Sequence, residues 1–235
     1  MGDLLDLLVP RRCAGCGTES VSLCAHCLTE LAVPVHGTVP RFGTVPVVAA
    51  GEYEGVLREL LVGFKERGRH DLAPVLGLLL ARAVTGALLS LPGAPRPPVH
   101  LVPVPSTRGA RRRRGADHVL VLATEAARIL RADGLPTHPA PVLAVRAHRD
   151  QVGFGSHGRR RNVAGTHRLD PRAGRRALAG LLTGTVVLVD DICTTGATLA
   201  ESARVLRGYR IPTPGVATVG TTPGGPRFEP LEGVK

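Results

Sequence analysis

The chain contains few aromatic residues and no ATP-binding loop. Among 235 residues there are four Phe, two Tyr and no Trp. Extensive stacking of nucleic-acid bases on aromatic side chains is therefore not expected. The sequence also has no Gly-x4-Gly-Lys-Ser/Thr segment, which excludes a P-loop ATPase or helicase.

Long apolar segments are also scarce, and none has the form of a signal peptide or a membrane anchor. Residues 4–9 are apolar but short, interrupted by Asp6 and followed by Arg11 and Arg12. The longest apolar region, residues 72–91, carries Arg82 and several small residues, which favours a core helix over a membrane span. We therefore expect a cytoplasmic protein without membrane insertion.

Positive charge is abundant, but lysine is almost absent. The formal net charge is +11, and Lys65 and Lys235 are the only lysines among 30 lysine and arginine residues. A basic surface attracts polyphosphates and nucleic acids. The same excess of arginine, in a chain rich in Ala, Gly, Pro and Val, also fits a compositional bias of GC-rich coding, so charge alone leaves both interpretations open.

Residues 186–198 are the most informative segment. Their sequence is Val-Val-Leu-Val-Asp-Asp-Ile-Cys-Thr-Thr-Gly-Ala-Thr. The apolar run predicts a strand buried on both faces, which places Asp190 and Asp191 (the acid pair) at its carboxyl end, where open α/β sheets bind ligands. The helical spacing of Leu199, Ala203 and Leu206 predicts that residues 194–198 (the threonine loop) lead into a helix.

This arrangement of acids and hydroxyl groups suits a phosphorylated sugar. Unpaired N–H groups at a helix start favour a phosphate, while two carboxylates can accept hydrogen bonds from vicinal hydroxyls or help to hold Mg²⁺. The alternative is a solvated strand end followed by an ordinary turn. Cys193 is either a reactive thiol near a helix start or a small residue packed under the loop, and we favour packing.

Four cysteines near the amino terminus form two CxxC pairs, Cys13 with Cys16 and Cys24 with Cys27. Two such pairs can complete a tetrahedral structural Zn²⁺ site (the cysteine cluster) without an open coordination position. Disulfides do not fit a cytosolic chain. Redox chemistry and a metal-free knuckle are the remaining alternatives, and structural zinc is the expected cofactor.

Proline, glycine and hydrophobic spacing divide the chain. Residues 1–36 form the expected zinc module, residues 37–222 the main domain and residues 223–235 a loose tail. Residues 34–46, with three prolines and two glycines, predict a linker. Strands near residues 45–50, 100–105, 142–145 and 186–189 alternate with helices, of which one begins after an N-cap at Asp71 and another covers residues 116–131. This order predicts an α/β fold with a mostly parallel sheet flanked by helices.

The segment at residues 186–198 resembles the phosphoribosyl pyrophosphate (PRPP) signature of type I phosphoribosyltransferases. Further features narrow the resemblance to the ComF competence-protein family. In chain order they are the CxxC pairs, Tyr53-Glu-Gly-Val-Leu-Arg with Phe64-Lys65, Val102-Pro-Val-Pro with Arg-Arg-Gly115, Gln151-Val-Gly, Arg161-Asn-Val and the acid pair with its loop. Two departures from the family pattern are Ser106-Thr-Arg-Gly and Ala116-Asp117, where Phe-Asn is usual.

The resemblance implies a type I phosphoribosyltransferase-like fold with an amino-terminal zinc module, and it implies a role for each site residue. The acid pair would hold the ribose hydroxyls, and the loop would hold the 5-phosphate through Thr194, Thr195, Gly196, Ala197 and Thr198. The pyrophosphate would meet Mg²⁺ and the cations Arg108, Arg111, Arg112 and Lys65. For the arginine run the alternative is a solvated charged loop, and for Lys65 a surface lysine at a helix end. Arg149 would join the acid pair in catalysis from a mobile arginine-rich loop at residues 146–162.

Two functions fit these expectations. The first is a Mg²⁺-dependent phosphoribosyltransferase of the ComF type, connected with competence or DNA uptake and acting on an unknown base or amine. The second is a non-catalytic PRPP sensor or scaffold that binds single-stranded DNA or a DNA-uptake helicase. Both functions use the same pocket, and no residue of the sequence marks an acceptor site.

Overall fold

The structure is a computed structural model that describes residues 12–19, 21–43, 45–107, 109–110, 112, 115–146, 165–224 and 226–229. The strands in this part of the chain are β1 (His36–Thr38), β2 (Val47–Glu52), β3 (Val99–Pro103), β4 (Thr137–Pro139), β5 (Leu143–Val145), β6 (His167–Leu169), β7 (Thr185–Cys193), β8 (Gly215–Thr221) and β9 (Arg227–Phe228). The α-helices are α1 (Ala25–Leu31), α2 (Gly55–Glu66), α3 (Ala73–Leu89), α4 (His118–Ala132), α5 (Arg175–Thr183) and α6 (Ala197–Gly208).

The main sheet has seven strands in the order β4-β3-β7-β8-β2-β1-β9. The strands from β4 to β2 pair in parallel, whereas β1 and β9 are antiparallel to their neighbours. The strands β5 and β6 form a separate antiparallel ribbon. The predicted α/β fold, with a mostly parallel sheet flanked by helices, is confirmed.

The central strand β7 is buried on both faces, which explains its unbroken apolar run. Val187 and Val189 pack into one hydrophobic core, whereas Val186 and Leu188 pack into the other. Each of the four side chains is at most 1% exposed. Successive residues of a strand point to opposite faces, so a strand between two helix layers has no polar face.

The helices divide between the two faces. The first core contains Phe64 of α2, Leu76 of α3 and Leu122 of α4, and the second contains Leu181 of α5 and Leu206 of α6. The chain therefore leaves β3 through α4 towards β4, and it leaves β7 through α6 towards β8 on the other face. Neighbouring parallel strands whose connections diverge in this way leave a crevice at their carboxyl ends.

The predicted helix after residue 71 exists, but Asp71 does not cap it. A 3₁₀ turn covers His70–Leu72, and α3 begins at Ala73 without a side-chain cap. Asp71 instead accepts two hydrogen bonds from Arg69, at 2.9 and 2.8 Å. The guanidinium of Arg69 also donates to the carbonyl oxygens of Arg12 and Ser22. The carboxylate thus orients an arginine that fastens the cysteine-containing segment to the main domain.

The region 72–91 packs as a core helix. Residues His70–Leu89 are long and apolar enough to cross a membrane by length and composition, with a mean hydropathy of 1.9, but 67% of that window is buried inside the protein. Leu76, Leu80 and Val84 are fully buried. The apolar surface of this helix is thus used in packing against the sheet and α4.

The predicted linker and the predicted tail both contain strands of the sheet. Within residues 34–46, β1 pairs with β2, so the expectation of a simple linker is wrong for this part. Within residues 223–229, β9 pairs with β1, and Arg227 forms an ion pair with Glu52. Strands of two or three residues are too short to show an alternating hydrophobic pattern. The prolines and glycines around them therefore predicted a linker and a loose tail.

The ribbon of β5 and β6 is attached to α6 through a buried carboxylate. Glu201 accepts hydrogen bonds from the backbone N–H groups of Gly165 and His167, and it forms a two-bond ion pair with Arg204 at 2.7 and 2.8 Å. The His167 ring contacts the Ser202 hydroxyl at 2.9 Å. Because α6 directly follows the threonine loop, this network ties the ribbon to the helix that supports that loop.

We expect the Glu201→Gln substitution to lower the free energy of unfolding by about 2 kcal/mol, because buried N–H donors lose a charged acceptor. The Arg204 guanidinium lowers the pKa of Glu201 from its ordinary value of 4.5. A lowered folded-state pKa contributes stability at pH values above 4.5 that is lost as the pH falls through the folded-state value. Urea unfolding at pH 7 and pH 3 should show a smaller difference between wild type and variant at the lower pH.

The matched control is Glu125→Gln, which alters another Glu–Arg pair at the same helical spacing, with Arg128 at 2.9 Å. We expect a change below about 0.5 kcal/mol for this pair. Equal losses for the two variants at pH 7 would contradict the role of Glu201.

Candidate functional site

The acid pair lies at the carboxyl end of β7, beside the crevice between β3 and β7. Asp190 and Asp191 are only 8% and 9% exposed. An Asp190 Oδ1 atom accepts a hydrogen bond of 2.8 Å from the backbone N–H of Asp191. The alternative of a solvated strand end is therefore wrong. Two carboxylates taken out of water require compensation by cations, donors or protons.

Burial has a direct consequence for protonation at Asp190. Desolvation, and then the neighbouring charge of Asp191, raise the pKa of Asp190 well above its ordinary value. The Asp191 N–H and the Lys65 ammonium oppose this increase in pKa. Asp190 thus has an unusual proton affinity, which is typical of functional sites.

Lys65 supplies the cation that faces the acid pair. Its Nζ atom lies 2.8 Å from Oδ2 of Asp191, and the two side chains are 18% and 13% exposed. The alternative of a surface lysine at a helix end is therefore wrong. Lys65 lies in the last turn of α2, directly after the buried Phe64, so packing of the helix fixes where the ammonium emerges. The sequence signal was its isolation as the single internal lysine.

The threonine loop joins β7 to α6 and has an open helix start. Gly196 is the N-cap residue, has a φ of 77° and makes no capping hydrogen bond through a side chain. Thr194, Thr195 and Thr198 are exposed, whereas Gly196 is buried. Hydroxyl groups and first-turn N–H groups therefore lie together at one surface, as an anion site requires.

The segment after β1 forms one wall of this loop. The Phe42 N–H donates to the Thr195 carbonyl at 2.9 Å. A Cβ atom at Gly196 would lie 2.5 Å from the Phe42 carbonyl oxygen and 2.5 Å from the Pro40 side chain. Glycine is therefore required at position 196 both by its positive φ and by close contact with neighbouring backbone.

Cys193 is a packing residue. Its side chain is 3% exposed, and burial, followed by the charge of Asp190, raises the pKa of its thiol to about 11. A thiol with a raised pKa is a poor nucleophile at neutral pH. The expectation that Cys193 packs under the loop is confirmed.

The loop after β3 approaches the acid pair from the other side of the crevice. Asp117 begins α4, where its carboxylate accepts a hydrogen bond from the Leu120 N–H, and Ser106 donates to the same oxygen at 3.4 Å. The charge of Asp117 contributes to the raised pKa of Asp190. Asp117 is a site residue that was not predicted, although it stands where Asn is usual after Arg-Arg-Gly.

The predicted cationic residues are only partly described. Arg112 is exposed in the segment between β3 and α4. Arg108, Arg111 and Arg149 lie outside the described residues, as does most of the expected mobile loop at residues 146–162. Lys65 is thus the predicted cation that the structure places against the acid pair.

The four cysteines of the cysteine cluster come together at the amino-terminal end of the described chain. Their sulfur atoms all lie within 4.8 Å of one another. The Sγ atoms of Cys13 and Cys27 are 3.7 Å apart, and those of Cys16 and Cys24 are 3.6 Å apart. A tetrahedral zinc ion with bonds of about 2.3 Å separates its sulfur ligands by about 3.8 Å. The cluster could therefore hold a zinc ion, and the distances are too long for disulfide bonds.

The backbone around the cluster supports thiolates. Burial opposes ionisation of Cys13, but N–H groups of Cys16, Cys24 and Gly15 together lower the pKa of its thiol to about 6. For Cys27, burial and the neighbouring cysteines raise the pKa of the thiol above its ordinary value. A metal ion would offset this cost, because coordinated cysteines are deprotonated by the charge of the ion.

The chain is similar to a known competence protein. No protein-family model matches the chain. Competence protein F of Haemophilus influenzae (strain ATCC 51907 / DSM 11121 / KW20 / Rd) is 28% identical, over 83% of this chain and 83% of that protein. This similarity supports placement in the ComF family. The ComF resemblance thus extends over most of the chain instead of resting on the acid pair and threonine loop alone.

We expect Gly196→Ala to lower the free energy of unfolding by about 2 kcal/mol, because a positive φ and a clash with backbone are combined at this position. Gly208→Ala is the matched control at the other end of the same helix, where a Cβ atom would meet nothing within 4 Å. This control should be neutral or slightly stabilising in chemical unfolding. Equal stability of the two variants would contradict the assignment of strain to Gly196.

We expect about one zinc ion per chain in protein purified without chelators, because four thiolates complete one tetrahedral site. Elemental analysis should show loss of that zinc in the Cys13→Ser/Cys16→Ser variant. Cys193→Ala, which removes a cysteine outside the cluster, should retain it. Native protein without metal would refute the zinc assignment.

Proposed function

We propose that the protein binds PRPP and acts as a phosphoribosyltransferase of the ComF type. The observation that supports this proposal is the position of the acid pair and the threonine loop at the carboxyl end of one strand, beside the crevice between β3 and β7. Acceptors for hydroxyl groups and donors for a phosphate then lie a few residues apart. A sugar with a diol at one side and a phosphate at the other matches this spacing.

In this proposal each part of the site has one partner on the ligand. Asp190 and Asp191 accept hydrogen bonds from the ribose 2- and 3-hydroxyls. The first-turn N–H groups of α6 and the hydroxyls of Thr194, Thr195 and Thr198 hold the 5-phosphate. Displacement at the anomeric carbon builds positive charge on the sugar, and nearby carboxylates stabilise that charge.

The leaving pyrophosphate needs cations. Arg112 and Lys65 are the candidates among the described residues. Arg108 and Arg111, which were predicted from the sequence, remain part of the proposal as further pyrophosphate ligands. Arg149 remains a proposed catalytic residue. Mg²⁺ enters the proposal with PRPP, because pyrophosphate oxygens supply most of its ligands. Among the described residues, the cysteine cluster is the one group with the geometry of a protein-built metal site, so a separate magnesium cage is not part of the proposal.

The wider role is proposed from the relative. A protein named Competence protein F suggests a function connected with competence, and therefore with DNA uptake. The net charge of +11 is compatible with contact to single-stranded DNA or to a DNA-uptake helicase. Structural zinc in the cysteine cluster completes the proposed set of cofactors.

Calorimetric titration with PRPP and Mg²⁺ tests the proposal. We expect binding by the wild type and a loss of affinity of about 100-fold or more in Asp190→Asn/Asp191→Asn, because the two diol acceptors lose their charge. Asp133→Asn, at the exposed end of α4, is the control and should bind as the wild type does. Equal affinity of the wild type and the double variant would count against the proposed site.

A second measurement separates an enzyme from a sensor. Pyrophosphate release is followed while bases and amines are screened as acceptors in the presence of PRPP and Mg²⁺. Release that depends on an added acceptor supports transfer. Tight PRPP binding without release for any acceptor favours the non-catalytic alternative.

A further inference from the structure

Lys65 is an exception to the composition of the chain. Of 30 lysine and arginine residues, only Lys65 and Lys235 are lysines. Arginine thus serves at nearly every position where positive charge is needed. The one internal lysine contacts the acid pair, so an ammonium group stands at a position where the composition of the chain favours a guanidinium.

The fold explains why this cation reaches Asp191. Side chains alternate along β7, and Val187 and Val189 pack into the same core as α2. The contact with Lys65 places the Asp191 carboxylate on the face that α2 covers. Leu57, Leu60, Leu61 and Phe64 of α2 pack into this same core and hold the helix in place. The packing of α2 therefore fixes the position of the Lys65 ammonium beside Asp191.

The shortest contact of the ion pair is with one oxygen of the carboxylate. Lys65 Nζ lies 2.8 Å from Oδ2 of Asp191. An ammonium is a compact charge that engages a single oxygen, whereas a guanidinium is a planar fork that engages both oxygens of a carboxylate. A lysine can therefore hold Asp191 through Oδ2 while Oδ1 accepts a hydrogen bond from a ligand.

We infer that Lys65 is a positioning residue, which holds Asp191 through Oδ2 so that Oδ1 accepts a hydroxyl group of the bound sugar. This inference rests on the proposed function, and it deepens that function by assigning Lys65 to Asp191 instead of to the pyrophosphate and by assigning the orientation of one diol acceptor. It also explains how Asp191 is tolerated beside a second buried acid, since a buried carboxylate without a partner is strongly unfavourable.

The test compares Lys65→Met and Lys65→Arg in calorimetric titrations with PRPP and Mg²⁺. We expect Lys65→Met to weaken binding by about 30-fold, because one member of a buried charge pair is left alone. Lys65→Arg keeps the charge but engages both oxygens, and we expect a loss of about tenfold or more. The control is Arg67→Met, which removes the cation of an exposed pair with Glu59 at the end of the same helix. It should change affinity by less than about twofold.

A pH series separates positioning from a general structural role. Asp190 is faced by Asp191 and Cys193 of β7, by Lys65 of α2 and by Asp117 at the start of α4. Removal of the Lys65 ammonium leaves mainly negative neighbours, so the acidic limit of PRPP binding should move to higher pH in Lys65→Met. The same limit should stay in place for Arg67→Met. A change in folding alone would lower the amount of active protein without moving this limit.

The outcomes distinguish the inference from the proposed function. Wild-type protein that does not bind PRPP overturns the proposed function and the inference with it. Binding by the wild type together with equal affinity in both Lys65 variants overturns the inference alone. If Lys65→Met does not fold, Lys65→Arg decides, since wild-type affinity in that variant would show that any cation suffices.

Discussion

The burial of two adjacent carboxylates at the end of β7 is the constraint on which the site depends. A strand covered by helices on both faces has no polar face on which to place a charge. Asp190 meets this constraint through a hydrogen bond with the backbone and a raised pKa, whereas Asp191 meets it through an ion pair with Lys65. The helix α2, the strand β7 and the start of α4 must therefore keep their relative positions for the acid pair to exist in this form.

The threonine loop depends on a second close contact, which comes from a distant part of the sequence. The segment after β1 places Pro40 and the Phe42 carbonyl directly against Gly196. The hydrogen bond from Phe42 to Thr195 then fixes the loop from the same side. On the opposite side, Glu201 and Ser202 tie the first turns of α6 to the ribbon. A loop held from two sides can present its N–H groups without rearrangement, which lowers the entropic cost of binding an anion.

The sequence predicted the parts of this protein that are encoded locally. The apolar run of β7, the helix after residue 117 and the CxxC spacing each reflect a short pattern, and the structure confirms them. The wrong predictions concern contacts that a side chain makes in the fold and that its residue type does not specify. Asp is a residue type that often caps helices, but Asp71 binds Arg69 instead. Lysine is a common residue type at helix ends, and only the packing of α2 against the sheet brings Lys65 to Asp191. No local pattern contains that information.

The attachment of the cysteine cluster to the main domain could not be predicted from the sequence for the same reason. Arg69 donates to the carbonyl oxygens of Arg12 and Ser22, and Arg82 donates to those of Leu31 and Val33. Carbonyl acceptors are present at every residue, so these contacts leave no mark on the sequence of the module. They nevertheless join it to α3 and to the turn before α3. Because α3 packs on the same core as α2, a module ordered by a metal ion would stabilise the helix layer that carries Lys65.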